Sequence, residues 1–221
     1  MPDFADTGRA AILVVDTTGR WCAAALRLGD GRIFLRHEAM ARGQAERLAP
    51  LVGELLTEAG LTPGEIARIG VATGPGSFAG TRAGTAFTRG LALATGAKAV
   101  GVSSLAALAY QADPDRIRTI AAIHDARRDE VVVQLFTNGE AVSDVTRLAL
   151  ADAPAFLADY GDVVLTGSGA ALLGADPAGF ADEAPLAALL ALTAEAGEDA
   201  PLPSPLYARP PDAALPGGVI P

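Results

Sequence analysis

The chain opens with three short apolar segments separated by turn residues, a pattern typical of β-strands. Residues 12–15 form an apolar run that stops at Asp16, and such a run predicts a buried strand. Residues 21–28 form a second segment, and residues 32–37 follow it across a glycine-rich turn at 29–31. We therefore predict three antiparallel strands.

Helical spacing then takes over. One apolar stripe at i, i+3, i+4, i+7 and i+8 consists of Leu48, Leu51, Val52, Leu55 and Leu56. Gly60 suits the C-cap of this helix, and Pro50 is expected to bend the helix or delay its start.

Strands and helices alternate up to about residue 110. Residues 69–73 predict a fourth strand, and residues 78–95 a long helix with Ser77 as N-cap and Gly96 as its end. Residues 98–102 predict a fifth strand, after which Ser103 or Ser104 caps a further helix. This alternation favours an α/β fold with a parallel sheet.

The second half repeats the pattern on a smaller scale. Strands are predicted at 119–124, 130–136 and 162–166, and a helix near 152–160. The polar stretch 111–116 is the boundary, which divides the chain into lobes at 10–110 and 111–221. The proline-rich end, 201–221, is expected to be extended.

Charge and composition exclude several classes of function. A net charge of −9 argues against direct binding of nucleic acid phosphates. The single cysteine, Cys22, excludes a disulfide framework and predicts an inert core thiol. The acidic start and the broken or short apolar windows at 90–110 and 184–194 predict a cytoplasmic protein without a membrane span.

Three segments carry residues suited to chemistry, and each has two interpretations. Asp16 ends a predicted strand, where it suits a metal-bound phosphate or simply a tight turn. The run from Gly74 to Gly84 suits an anion at a helix N-terminus, or close helix–helix packing through its glycines. Residues 124–130 suit acid–base work or a charged hairpin turn. We favour the structural interpretation of each, and no catalytic trio emerges.

The chain resembles the TsaB family, also called YeaZ. The resemblance rests on residues 12–18, on the Gly-Pro-Gly-Ser-Phe-x-Gly-x-Arg-x-Gly run at 74–84, on 90–93 and on 101–105. Shorter matches follow at 121–127 and 205–209. It implies an actin/Hsp70/sugar-kinase-like (ASKHA) fold of two ribonuclease-H-like lobes, the second reduced.

The resemblance also implies a function and partners. The family supports formation of N6-threonylcarbamoyladenosine at position 37 of tRNAs that read codons beginning with A. TsaB is a non-catalytic subunit that pairs with and activates TsaD, TsaE supplies an ATPase, and tRNA is reached through the complex. Helices that pack closely also allow a homodimer in isolation.

The resemblance assigns the pairing surface to the first two helices. The residues assigned to it are Gln44, Arg47, Leu48, Leu51, Leu55, Phe78, Gly80, Thr81, Arg82, Gly84, Thr85 and Thr88. A vestigial nucleotide or phosphate region would comprise Asp16, Thr17, Thr18, Gly74, Gly76 and Ser77.

The expected cofactors follow from what the first helix lacks. TsaD holds its metal through a histidine pair there, and residues 42–48 contain no histidine. We therefore expect no catalytic residue, metal or cofactor in this chain alone, with ATP or ADP and a metal in the partner subunits. The alternative is a small-molecule kinase or phosphatase of the same fold that uses Asp16 and the turn from Gly74 to Gly76.

Overall fold

The first five strands form one sheet in the computed structural model, which describes residues 10–178, 180 and 182–207. They are β1 (Ala11–Asp16), β2 (Trp21–Arg27), β3 (Ile33–Ala39), β4 (Ile66–Ala72) and β5 (Lys98–Val102). Their order across the sheet is β3-β2-β1-β4-β5. The first three strands are antiparallel, and β1, β4 and β5 are parallel. Both features confirm the sequence-based prediction.

The helices cover both faces of this sheet. The described α-helices are α1 (Gln44–Ala59), α2 (Phe78–Thr95), α3 (Ser104–Ala112), α4 (Ala153–Ala158) and α5 (Leu186–Glu195), and all but α4 pack on this sheet. On one face α1 and α2 lie side by side over a core that includes Leu13 and Val71. On the other face α5 and part of α3 pack over Ile12 and Val14. Each face of the sheet is therefore buried by helices.

A smaller second sheet follows. Its strands are β6 (Thr119–Arg127), β7 (Glu130–Thr137), β8 (Glu140–Ala141), β9 (Thr146–Ala149) and β10 (Val164–Thr166). The order is β10-β6-β7-β8, and β9 also pairs with β7. One face packs on α3 and the other on α4. The second lobe is thus a reduced counterpart of the first.

The helix α3 belongs to the cores of both lobes. Its Ala107 lies in the core beneath the first sheet, together with residues of α5. Its Leu105 and Ala109 lie in the core of the second sheet, against Ile120 and Val132. One short helix therefore joins the two hydrophobic cores.

The helix α5 corrects the predicted division of the chain. It lies in the segment assigned to the second lobe, 111–221, but it packs on β1, β4 and β2 of the first sheet. Its apolar residues are spread around the helix and lack an amphipathic pattern, so the periodicity of the sequence does not indicate a helix there. Of the predicted extended tail, only residues 201–207 are described, and they form neither helix nor strand.

The ends of α1 and α2 fall where the capping residues indicated. Gly60 and Gly96 adopt left-handed conformations at the two C-caps, and the Ser77 hydroxyl accepts a hydrogen bond from Gly80 N. Pro50 neither delays nor ends α1, which begins six residues earlier at Gln44. The expectation of a delayed start at Pro50 is therefore wrong.

A buried arginine fastens α5 to the first sheet. Arg68 of β4 is 4% exposed, and its guanidinium donates hydrogen bonds to Thr193 O and Ala196 O at the C-terminal end of the helix. It also pairs with Glu198, whose side chain is 81% exposed. These bonds satisfy carbonyl groups that the end of a helix leaves without intrahelical donors.

Replacement of Arg68 by methionine should destabilise the protein. The change keeps an apolar side chain of similar length but leaves buried carbonyls without a donor, which costs about 1–3 kcal/mol. We expect urea unfolding to show a loss of that size. Glu198→Gln is the control and should change the free energy of unfolding by less than ~0.5 kcal/mol, because the partner is exposed. An equal effect of both variants would contradict this account.

Candidate functional site

A cleft of about 1020 Å³ separates the two lobes. The first lobe contributes Asp16, Thr18 and Ser77 to its wall, and the second contributes His124 and Asp125. Aromatic side chains complete the lining, namely Trp21, Phe78, Phe180 and Tyr207. Most residues of the predicted phosphate region therefore lie at this cleft, on the wall made by the first lobe.

Asp16 is the last residue of β1, and its carboxylate contacts the turn that follows the strand. Its Oδ1 accepts hydrogen bonds from Thr18 N and from the Thr18 hydroxyl, both at 2.7 Å. Asp16 is 1% exposed, and this burial raises its pKa above the ordinary 3.8 while the bonds from Thr18 oppose the rise. The geometry agrees with the tight-turn interpretation.

The turn after β1 lies directly on the start of α2. Ser77 N donates to Thr18 O at 2.6 Å, and the Thr17 hydroxyl donates to Gly80 O at 2.7 Å. A Cβ on Gly76 would lie 2.5 Å from Thr18 O, and one on Gly80 would collide with Thr17 O. The glycines are therefore required by the chain's own backbone.

This contact corrects the predicted role of the glycine stripe. The expectation was close helix–helix approach through Gly76, Gly80 and Gly84. The neighbour is instead the turn after β1, and a Cβ on Gly84 would lie 2.7 Å from the Thr17 hydroxyl and 3.3 Å from Val71. The prediction of close packing is right, but the packing partner is not a helix.

Most residues of the predicted pairing surface are also packed inside the first lobe. Nine of the twelve are buried in the first lobe: Gln44, Leu48, Leu51, Leu55, Gly80, Thr81, Gly84, Thr85 and Thr88. Arg47 is held by two carboxylates, with Nε 2.7 Å from Glu38 and Nη1 2.6 Å from Glu54, and these bonds lower the pKa of both acids. For the nine buried residues the expectation of an open contact face is corrected, because an apolar stripe serves the monomer core.

Small side chains occupy the opposite, exposed side of the same two helices. This outer helical surface consists of Ala45, Ala49 and Gly53 on α1 and of Ala79, Ala86 and Gly90 on α2. A Cβ added to Gly53 or Gly90 would meet no atom within 4 Å. Each of these glycines costs the helix about 0.5–1 kcal/mol relative to alanine, and no internal contact requires it.

The outer surface also contains an aromatic-stacked arginine. The Arg82 guanidinium carbon lies 4.3 Å from the centre of the Phe78 ring, and its Nε donates to the Tyr207 hydroxyl at 3.0 Å. Tyr207 belongs to a strap, residues 201–207, in which Leu206 N donates to Thr73 O. Gly74 has φ +97°, and a Cβ there would lie 2.5 Å from Leu206 O, so Gly74 makes room for this strap.

The second lobe presents a strained hairpin to the cleft. Arg127, which ends β6, and Arg128 and Asp129, which lead into β7, have positive φ values of 64°, 57° and 56°. Asp125 accepts from Arg127 N at 2.8 Å and pairs with Arg127 Nη1 at 2.9 Å. Burial lowers the pKa of His124. The hairpin interpretation of this segment therefore fits better than acid–base work.

The fold class implies a nucleotide and a metal ion, and the donors of the predicted phosphate region do not fit a phosphate group or a metal ion. The amide and hydroxyl of Thr18 are engaged by Asp16, and Ser77 N by Thr18 O. Among the described residues, no group of three His, Cys, Asp or Glu side chains is placed to hold a metal. No catalytic step follows from this set of donors.

Two further expectations concern the core and membranes. Cys22 is buried, and its burial raises the thiol pKa to about 11, as expected for an inert core thiol. Within the described ranges, none of the helices has the length and apolar character that a bilayer span requires.

Fold and site together define a class: a two-lobed α/β protein of the actin-like type whose glycine turn is filled by its own backbone. The chain belongs to the TsaD family, because the family model described as "tRNA N6-adenosine threonylcarbamoyltransferase" matches residues 37–161, more than half of its length. The match to this family, together with the TsaB and YeaZ relatives described next, confirms the resemblance to TsaB, or YeaZ, seen in the sequence.

Individual relatives sharpen the assignment. The chain is 37% identical over 122 residues to "tRNA threonylcarbamoyladenosine biosynthesis protein TsaB" of Escherichia coli, covering 54% of this chain and 52% of that protein. A 69-residue stretch is 42% identical to the TsaD enzyme of a Ruegeria species, over 31% and 19% of the two chains. The chain thus spans about half the length of the TsaB proteins it matches, and less of TsaD.

Solved structures support the fold over nearly the whole chain. YeaZ from Pseudomonas aeruginosa superposes with a TM-score of 0.68 at 28% identity, covering 90% of this chain and 99% of that one. The predicted ASKHA fold with a reduced second lobe is therefore confirmed.

A matched pair of glycine substitutions on α2 separates the two sides of the helix. Gly80→Ala should destabilise the protein by about 2 kcal/mol or more, because its Cβ has no space beside Thr17 O. Gly90→Ala should stabilise it by about 0.5–1 kcal/mol, because the added methyl group meets nothing and favours the helix. Urea unfolding measures both. Stabilisation by Gly80→Ala would contradict the described packing.

The raised pKa of Asp16 predicts a pH dependence. The folded state binds this proton more tightly than the unfolded chain, so wild-type stability falls as pH rises through the folded pKa, above 3.8. Asp16→Asn removes the titration and keeps an oxygen acceptor for Thr18. The free energy of unfolding of the variant, relative to wild type, should therefore increase between pH 4 and pH 7. A decrease over that range in urea titrations would refute the assignment.

Proposed function

We propose that this chain is a non-catalytic subunit in the biosynthesis of N6-threonylcarbamoyladenosine at position 37 of tRNA. In this role it pairs with TsaD and activates it, while TsaE acts as the ATPase of the larger complex. The observation that carries the proposal is membership of the TsaD family combined with a turn after β1 whose Thr18 amide and hydroxyl, and the Ser77 amide that faces it, are engaged by the chain itself. Such a protein contributes a surface rather than a reaction centre.

The outer helical surface supports this role. Gly53 and Gly90 weaken their helices without any internal benefit, and small residues at i, i+4 spacing allow a second backbone to approach closely. On α1 the repeat is Ala45, Ala49 and Gly53. We infer that two helices of TsaD pack on this surface, and that the buried stripes beneath it hold α1 and α2 in position.

Charge favours an indirect relation to tRNA. The net charge of −9 disfavours phosphate binding by this chain, so TsaD would supply most of the basic surface. Any ATP, ADP or metal ion would be held by the partner subunits. The complex would work in the cytoplasm, where tRNA is modified. A homodimer through the same surface would compete with TsaD.

The alternative of a small-molecule kinase or phosphatase is not supported by the groups on which it depended. Asp16 and the turn from Gly74 to Gly76 were its candidate groups. Asp16 is engaged by Thr18, Gly76 accommodates Thr18 O, and Gly74 accommodates the strap. A calorimetric titration of the isolated chain with Mg-ATP should therefore show no binding heat.

Reconstitution tests the proposed role directly. TsaD and TsaE from the same organism, threonylcarbamoyl-AMP and unmodified tRNA are incubated with and without this chain. Mass spectrometry of digested tRNA should show multiple turnovers only when the chain is present. Equal modification without it would overturn the proposal.

Substitutions on the outer surface test how the subunits pair. Gly90→Leu and Gly53→Leu should each weaken binding to TsaD at least about tenfold, since a large side chain separates the backbones. Melting temperatures should hold or rise, because leucine is a better helix former than glycine. Ala155→Leu, at an exposed position of α4 in the second lobe, is the control and should bind as wild type. Unchanged binding by both glycine variants would place the interface elsewhere.

A further inference from the structure

We propose that Arg82 is a preorganised receptor for a carboxylate group of the partner subunit. The inference rests on the proposed pairing with TsaD and specifies one contact of that interface. Arg82 lies on the first turns of α2, three residues after Ala79 and four before Ala86 of the outer helical surface. A helix laid on that surface passes beside the Arg82 side chain.

The aromatic platform fixes where the guanidinium lies. Its carbon is 4.3 Å from the centre of the Phe78 ring and 5.9 Å from that of Tyr207. The two rings contact each other, with centres 4.9 Å apart and planes inclined by 35°. Stacking of this kind suits the flat, weakly hydrated guanidinium of arginine better than an ammonium group.

The strap holds Tyr207 in place. Leu206 N donates to Thr73 O at 2.7 Å, and Pro203 packs against Gly101, where a Cβ would lie 3.2 Å from Pro203 Cα. The Tyr207 hydroxyl then accepts from Arg82 Nε at 3.0 Å. Backbone bonds on one side and ring contacts on the other therefore restrain the arginine before any partner arrives.

The remaining donors of Arg82 are unused within the part of the chain described. Nε is bonded to Tyr207, whereas neither Nη atom has an acceptor there. Some arginines of the same lobe are ion-paired, namely Arg36 with Glu58 and Arg47 with Glu38 and Glu54, whereas Arg89 has no ion pair among the described residues, so the aromatic platform is what distinguishes Arg82. A restrained guanidinium with both Nη groups free matches the two oxygens of a carboxylate, and little side-chain entropy is lost on binding.

The position of Arg82 favours a side chain of the partner over a small anion in the cleft. Asp182 and Glu183 line the same cleft and would oppose a diffusible anion. A carboxylate carried by a helix on the outer surface is instead delivered by the packing of small residues around Ala79 and Ala86. We therefore assign the free edge of the guanidinium to an Asp or Glu of TsaD.

Binding measurements with purified TsaD test this assignment. Arg82→Lys keeps the charge but loses the planar edge, and should raise the Kd at least about tenfold. Tyr207→Phe keeps the ring but removes the acceptor of Arg82 Nε, and should raise the Kd about threefold. Arg89→Lys is the matched control, one heptad further along α2. Arg89 has no aromatic platform or hydrogen bond among the described residues, and its variant should change the Kd less than twofold.

Each outcome decides between specific explanations. Wild-type affinity in Arg82→Lys overturns this inference while leaving the pairing intact, whereas no binding by the wild-type chain overturns both. If both variants lose affinity only because their melting temperatures fall, the contact between Arg82 and Tyr207 serves to stabilise the monomer. This result also overturns the inference. The remaining alternative is a free anion. Inorganic phosphate that binds the wild type but not Arg82→Lys, with an unchanged Kd for TsaD, would assign the site to that anion.

Discussion

The contact between the turn after β1 and the first turns of α2 is the constraint on which the arrangement of the first lobe depends. The helix can lie on Thr17 and Thr18 only because positions 76, 80 and 84 carry no side chain. Two hydrogen bonds, from Ser77 N and from the Thr17 hydroxyl, fix the helix against the turn. Asp16 stabilises the same turn, because its carboxylate accepts hydrogen bonds from the amide and the hydroxyl of Thr18. A single contact thus determines the cleft wall and the position of α2.

Because of that constraint, the inner and outer sides of α1 and α2 have different roles. The inner sides are committed to the core, where α1 places its leucines and α2 its glycines and threonines. The outer sides carry small residues, two glycines without an internal purpose and a stacked arginine. A surface of this kind is suited to another backbone, whereas the Thr18 and Ser77 donors at the cleft wall are already engaged by the chain itself. This contrast supports the proposed role of the protein as a binding subunit.

The sequence predicted the elements of the first lobe well because its signals are local. Ser77, Gly60 and Gly96 mark helix ends through bonds within a few residues, and the bounds of α2 and β5 were predicted as observed. Periodicity shows which residues share a helix face but not what covers that face, and it was the family resemblance that assigned the glycines and leucines to a partner. The Arg82 platform could not be predicted, because Tyr207 is 125 residues away. Gly53 and Gly90 are the signals within the sequence that indicate the outer helical surface, because glycine in a helix interior is unfavourable unless a close contact requires it.

The shared helix α3 has a consequence for how the cleft behaves. Ala107 is embedded beneath one sheet, while Leu105 and Ala109 are embedded against the other. Any opening of the cleft would have to displace or tilt α3, because α3 packs in the cores of both lobes. The cleft therefore has no independent hinge at α3. The width of the cleft then depends on a helix of nine residues, about two and a half turns, and a displacement of either lobe is transmitted to the other through α3.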